Sequence, residues 1–343
     1  MKRLLGFLLL WFLHTTSCSA QIEVPHTTEE ITFQKDHFRI VGELRLPTED
    51  DKHPLVIMVH GDGPAYRTYF AKLKEVMLGA GYATLMWDKP GFGRSTGEFS
   101  RDLLRQERAG VLVAAVDHMK NHPYIEADKI GVWGISQAGV VIPMALEQTR
   151  DISFMILVGC PGENGIHQTA YLIRRQLEFA GLSEEEALEA ESHFIQLFYA
   201  ESFEQYIEHA QPLYDNPVQR KLGFVSALWD KENWKPHTPD DEGFYDPMNV
   251  MGRVTIPALV FFGEKDTQVD PIQGMEAYEA ALTKAGNQDF RIELIPDSDH
   301  NIILSQTGSM RERSQRSSDG WSKYAPQYLE IMEEWLEELR SAN

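Results

Sequence analysis

The chain has 343 residues, 43% hydrophobic and 24% charged, an ordinary globular composition with enough apolar material for a large core. Its 32 basic and 52 acidic residues give a formal charge of −20, which argues against nucleic acid and anionic membranes as partners and says little about a small uncharged substrate. Only Cys18 and Cys160 are present, so a chain that sheds its first twenty residues holds one thiol and no intrachain disulfide.

Those first residues, MKRLLGFLLLWFLHTTSCSA, set Lys2 and Arg3 before an apolar run and small residues, the three-part layout of a secretory signal. The run Leu4–Leu13 is short for a bilayer span. Small residues at Cys18 and Ala20 suit cleavage after Ala20; a lipid-modified Cys18 and a retained anchor are the alternatives. The protein is therefore expected to be exported, periplasmic or secreted. It would meet a membrane only if the segment is retained or Cys18 is lipidated.

Next, ITFQ and FRIVGELRLP predict an antiparallel pair. PLVIMVHGDG, YATLMWDKPG, KIGVWGIS, FMILVGCPG, ALVFFGEKD and FRIELIPDSD follow, several of them near-continuous apolar runs of the kind covered on both faces. Helical patterns fall at Ala65–Ala80, Leu103–His122, Gln137–Gln148, Pro271–Ala285 and Ala325–Arg340. The alternation predicts an α/β fold, a mostly parallel central sheet flanked by helices.

The rhythm breaks once, where about ninety residues after VGCPG carry no convincing strand, too long for a plain connection. SEEEALEAESHFIQLFYAESFEQYIEHA reads as helix, with Ser183 as N-cap and acids in the first turn. We expect a helical cap at 163–255, inserted into a core made of 21–162 and 256–343, behind a signal at 1–20. The cap's aromatics, among them Phe194, Tyr206 and Trp234, suit an apolar acyl pocket or simply the cap's own core. The stretch SQTGSMRERSQRSSDG at 305–320 reads as an exposed or mobile loop.

Active sites of open parallel sheets lie at the carboxyl ends of strands. There the chain delivers His60–Gly63, Asp88, Ser136, Cys160, Glu264 with Asp266, and Asp297, Asp299 with His300. A serine, an acid and a histidine follow in that order. A serine hydroxyl needs a base to take its proton, and His300 has an intrinsic pKa of roughly 6.5. Asp266 would orient the imidazole, with Glu264 and Asp270 as rivals; Asp270, before Pro271, also suits a helix N-cap. The N–H groups of Gln137 and Asp62 would serve a tetrahedral oxyanion. Taken alone, Ser136 would sooner be read as a helix cap, and the sequence WGISQAG has Ala138 where G-x-S-x-G needs glycine, with Gly139 one place late; the acid and histidine downstream turn the reading to a nucleophile. His60 would brace its turn, Cys160 would be a buried small residue, and GFGRSTG lacks the lysine and spacing of a phosphate loop. No Cys/His spacing predicts a zinc site.

The pieces GELRLP, VHGDGP, DKPGFGRSTG, GISQAG, GEKDTQVDP and PDSDH span residues 42–300. Together they resemble serine hydrolases of the α/β-hydrolase superfamily, and most of all exported bacterial esterases of the serine-aminopeptidase-like ("hydrolase 4") kind. The resemblance implies an α/β-hydrolase fold, with Ser136 as nucleophile, Asp266 as acid, His300 as base and Asp62 with Gln137 as oxyanion donors. It implies a structural Asp88 and a lid at the cap. The reaction expected is hydrolysis of a carboxylic ester through an acyl-enzyme, on a small-molecule ester or acyl substrate and with no cofactor. Peptidase, thioesterase and acyltransferase activities would use the same triad, and a non-enzymatic binding protein on this scaffold is a further alternative.

Overall fold

The protein is described here from a computed structural model, which covers residues 24–47, 51–99 and 104–342. The expected signal and Cys18 lie outside these residues. Near-continuous apolar runs become the buried middle of a single sheet of eight strands. The first two, β1 (His26–Lys35) and β2 (Phe38–Pro47), form the expected antiparallel pair, though β1 is longer than ITFQ implied. The next strands are β3 (His53–Val59), β4 (Ala83–Trp87), β5 (Ile125–Ile135), β6 (Met155–Val158), β7 (Ala258–Gly263) and β8 (Phe290–Ile295). The spatial order is β1-β2-β4-β3-β5-β6-β7-β8; β2 pairs antiparallel with β4, and β3 to β8 run parallel. All seven residues of β3 and all six of β7 are buried, because helices cover both faces.

One face packs on α1 (Ala71–Gly79) and α11 (Pro326–Ser341), through Leu73 and Met77 on the first and Tyr328, Ile331 and Trp335 on the second. The other takes α2 (Gly110–Met119), α3 (Ala138–Leu146) and α9 (Pro271–Lys284). Every residue of α3 is buried, so this helix is apolar on all sides rather than striped. Across the first face the Trp133 indole donates to the Tyr328 hydroxyl (3.0 Å), satisfying a polar group deep in the core.

Between β6 and β7 the chain makes α4 (Gly165–Phe179), α5 (Glu184–Phe198), α6 (Phe203–Asp215), α7 (Pro217–Leu222) and the short α8 (Met248–Met251). Ser183 caps α5 in a reciprocal capping box with Glu186. The long helix expected over 183–210 is two helices, because Ser202 turns extended and caps α6. Phe194 and Leu213 pack with Ile173 and Leu177 of α4, and Tyr206 packs with Phe203 and Trp234. These aromatics are therefore the segment's own core, whereas Trp229 and Tyr199 are exposed.

Two further expectations need correction. The helix predicted over Ala65–Ala80 starts only at Ala71. Phe70 is left-handed (φ 58°), and tertiary partners claim the preceding backbone: the Arg67 N–H donates to Asp88 (2.9 Å) and its carbonyl accepts from the buried Lys74. The stretch at 305–320 is exposed over much of its length, as expected, but fastened rather than mobile. It holds α10 (Met310–Ser314), capped by Ser309, and Arg316 forms a buried ion pair with Asp299 (2.7 Å).

Candidate active site

Ser136 sits between β5 and α3 with φ 58°, a strained value for a residue with a side chain, costing roughly 1–2 kcal/mol. Its N–H donates to the Val158 carbonyl of β6 (2.9 Å), and its carbonyl accepts from Gly139 in the first turn of α3 (2.8 Å). The turn is tight because α3 starts against the strand it leaves. A Cβ on Gly134 would lie 2.5 Å from Ile142 and 2.8 Å from the Cβ of Ala138. Ala138 fits because 134 is glycine. The late glycine faces elsewhere: a Cβ on Gly139 would meet the Cβ of Cys160 at 2.5 Å.

Asp266 lies just past β7. Its Oδ2 accepts from His300 Nδ1 at 2.7 Å, and both residues are only 3% exposed. A carboxylate can only accept, so Nδ1 carries a proton and is the donor in this bond. The other carboxylate oxygen takes the N–H groups of Gln268 (2.7 Å) and Val269 (3.0 Å), which locks the side chain. The rivals are occupied elsewhere. Glu264 accepts from the Asp297 N–H (3.0 Å), and Asp270 caps α9 through Ile272 and Gln273.

His300 stands on a turn that Asp299 staples. One Asp299 oxygen accepts from Asn301 N (2.9 Å) and Ile303 N (3.2 Å), and the other pairs with Arg316. On its other side His300 rests on Gly159, which has φ 52°; a Cβ there would lie 3.0 Å from His300 Nδ1. The end of β6 thus touches both candidates: Val158 holds the Ser136 backbone, and the next residue abuts the His300 ring.

The loop after β3 supplies Gly61, Asp62 and Gly63. His60 is buried, and its Nε2–H donates to the Trp87 carbonyl (2.7 Å). Burial, then Lys89 and Arg108, hold its pKa well below the ordinary histidine range, so it is neutral and committed. Lys89 donates to the carbonyls of Gly61 (2.6 Å) and Gly63 (2.7 Å). Arg108, on a π-helical turn over Leu104–Ala109, donates to the carbonyls of His60 and Gly61 (3.1 Å to the latter) and to the Gln137 side chain. Burial pushes its pKa down to about 10, opposed by Asp62, so it stays charged at neutral pH. Asp88 is a hub for the neighbouring loops, accepting from Arg67 N, the Arg67 guanidinium and Arg94 N (2.8 Å). Cys160 is buried and its thiol is pushed up to about 12, which leaves it protonated.

Sequence reasoning missed Arg108, Lys89, Arg316 and Glu163. Lys89 follows a strand end and was visible there; Arg108 lies in an ordinary helical pattern with no such mark. Glu163, four residues beyond Gly159, has its pKa raised to about 7 by burial and then by Asp270, Glu191 and Asp246.

A mostly parallel sheet in this strand order, with a strained serine turn and a buried Asp–His pair at its strand ends, is the α/β-hydrolase fold. The chain belongs to the X-Pro dipeptidyl-peptidase (S15) family, whose profile matches residues 36–301. It is similar to an uncharacterized peptidase of Bacillus subtilis, YuxL, at 23% identity over 316 residues, 89% of this chain and 39% of that one. An uncharacterized 31.7 kDa protein of Escherichia coli matches at 28% over 127 residues, 37% of this chain and 44% of that one. The chain therefore spans less than half the length of these relatives. In fold it is similar to an esterase of Pyrococcus furiosus, with TM-score 0.55, 16% identity, and 91% and 93% of the two chains covered.

Proposed function

We propose that the protein hydrolyses carboxylic esters through an acyl-enzyme on Ser136. The observation that carries this reading is the buried 2.7 Å bond between Asp266 and His300, linked to the Ser136 turn through Val158 and Gly159 at the end of β6. His300 Nε2 takes the Ser136 proton as Oγ attacks the acyl carbon, then returns it to the departing alkoxide. In the second half, His300 activates water, the acyl–serine bond breaks and a carboxylic acid leaves. Asp266 fixes the tautomer and stabilises the imidazolium. Backbone N–H groups of Gln137 and Asp62 receive the oxyanion. Each is aimed by its own peptide plane, because N–H and C=O point oppositely across a trans peptide. The Ser136 carbonyl turns into α3 and the Gly61 carbonyl onto Lys89 and Arg108, which supports outward N–H groups at 137 and 62. Helices α4–α7 would act as the cap over this edge, and export would follow from residues 1–20.

A second reading, a peptidase acting at a free amino terminus, is favoured by the family match and by Glu163 with its acidic neighbours, which suit an ammonium group. The test is a paired panel on the purified protein. Turnover of p-nitrophenyl acyl esters at higher kcat/KM than aminoacyl and dipeptidyl p-nitroanilides supports the esterase; the opposite order assigns the peptidase.

A further inference from the structure

Arg108 puts a buried guanidinium on backbone carbonyls, and the cost of burying that charge is offset by these hydrogen bonds and by the nearby Asp62 carboxylate. Its three acceptors share one property. The His60 and Gly61 carbonyls belong to the loop that presents the Asp62 N–H, and Gln137 Oε1 belongs to the residue that presents the other N–H. One rigid fork therefore touches both halves of the oxyanion site, which come from different strands. The Gly61 carbonyl and the Asp62 N–H lie in one trans peptide plane. Hydrogen bonds from both Arg108 and Lys89 to that carbonyl set the direction of the N–H and polarise it as a donor.

We propose that Arg108 is a positioning residue: it ties the Asp62 loop to Gln137 and holds the two oxyanion donors at a fixed separation. The inference rests on the acyl-enzyme reading above. Lysine at 108 keeps the charge, but its single nitrogen on a flexible stem cannot span three acceptors on two elements. Removing the Gln137 side chain cuts one arm of the same fork and leaves its backbone N–H in place.

The experiment compares wild type, Arg108→Lys and Gln137→Ala, each titrated with a fluorophosphonate probe so that kcat is expressed per labelled Ser136. Loss of a well-aimed oxyanion donor costs roughly 100- to 1,000-fold in kcat, so imperfect aim in Arg108→Lys should cost about tenfold or more, with KM within about twofold. Phenylboronic acid, which forms a tetrahedral adduct on serine, should bind more weakly by the same factor. Gln137→Ala should lose about threefold or more, and the double variant should lose no more than Arg108→Lys alone. A merely structural role would lower the labelled fraction and leave kcat per labelled site unchanged. Values per labelled site within about twofold of wild type in Arg108→Lys, or in Gln137→Ala if the lysine variant does not fold, overturn the inference and leave the acyl-enzyme reading standing. Failure of wild type itself to label at Ser136 overturns both.

Discussion

Replacing Gly159 by alanine probes the contact between β6 and His300. Two costs follow. At φ 52° an L-residue pays roughly 1–2 kcal/mol in the left-handed region. The new methyl would also sit 3.0 Å from His300 Nδ1, 3.0 Å from its carbonyl oxygen and 3.2 Å from Cε1. Neither partner yields freely: the ring is buried against Asp266, and the backbone belongs to the Asp299 turn. For a chain of this length, about 1–2 kcal/mol lowers Tm by about 2 °C. Misplacing a reacting group by 1 Å can cost about 100-fold, so a shift of a few tenths of an ångström should lower kcat/KM roughly three- to tenfold. Gly286→Ala separates the two effects. That glycine is also left-handed (φ 72°), and a Cβ on it meets nothing within 4 Å. Differential scanning fluorimetry and ester hydrolysis on both variants provide the assay. A loss of Tm in both, larger in Gly159→Ala by the cost of the contact, with loss of activity only in Gly159→Ala, is expected. Wild-type kcat/KM in Gly159→Ala would refute the packing argument.

Other perturbations follow the same reasoning. Asp266→Asn keeps a carbonyl oxygen for Gln268 and Val269 but presents an amide donor to His300, forcing the wrong tautomer; kcat should fall by up to about 10,000-fold with Tm nearly unchanged, and a loss under about tenfold would assign the acid elsewhere. Arg316→Met leaves Asp299 buried without its cation, which costs about 3–5 kcal/mol; Tm should drop by about 4 °C or more, and an unchanged melt would mean the turn stands without the pair. For Glu163, a raised folded pKa means the native state binds more protons than the unfolded chain between the ordinary glutamate range and about 7, so this group's contribution to stability falls as pH rises through that window. Glu163→Gln should therefore melt above wild type at about pH 8 and together with it at about pH 5; an equal gap at both would contradict the shift.

Strand positions, the mostly parallel sheet and the residues at the strands' carboxyl ends were legible because buried strands are written as apolar runs. The positions of Ser136, Asp266 and His300 just past strands could be read that way, and the cap on α5 by Ser183 from its local pattern. What escaped was fixed by distant partners. The Asp88 and Lys74 contacts take the backbone before α1 away from a helix, and no local pattern records them. Arg316 lies in a polar stretch that looks solvated, yet its partner Asp299 is fixed by the turn that bears His300. Arg108 likewise acquires meaning only from the carbonyls it meets, 47 and 48 positions away along the chain. The glycine displaced to 139 becomes intelligible once Cys160 is seen against it.

Every step proposed for the reaction starts from Ser136 as the nucleophile. The most direct measurement is intact-mass analysis of the purified protein after fluorophosphonate treatment, with peptide mapping of the adduct, for wild type and Ser136→Ala. A single adduct is expected on Ser136, absent from the alanine variant and abolishing ester turnover in proportion to labelling. Labelling or turnover that survives Ser136→Ala would contradict it.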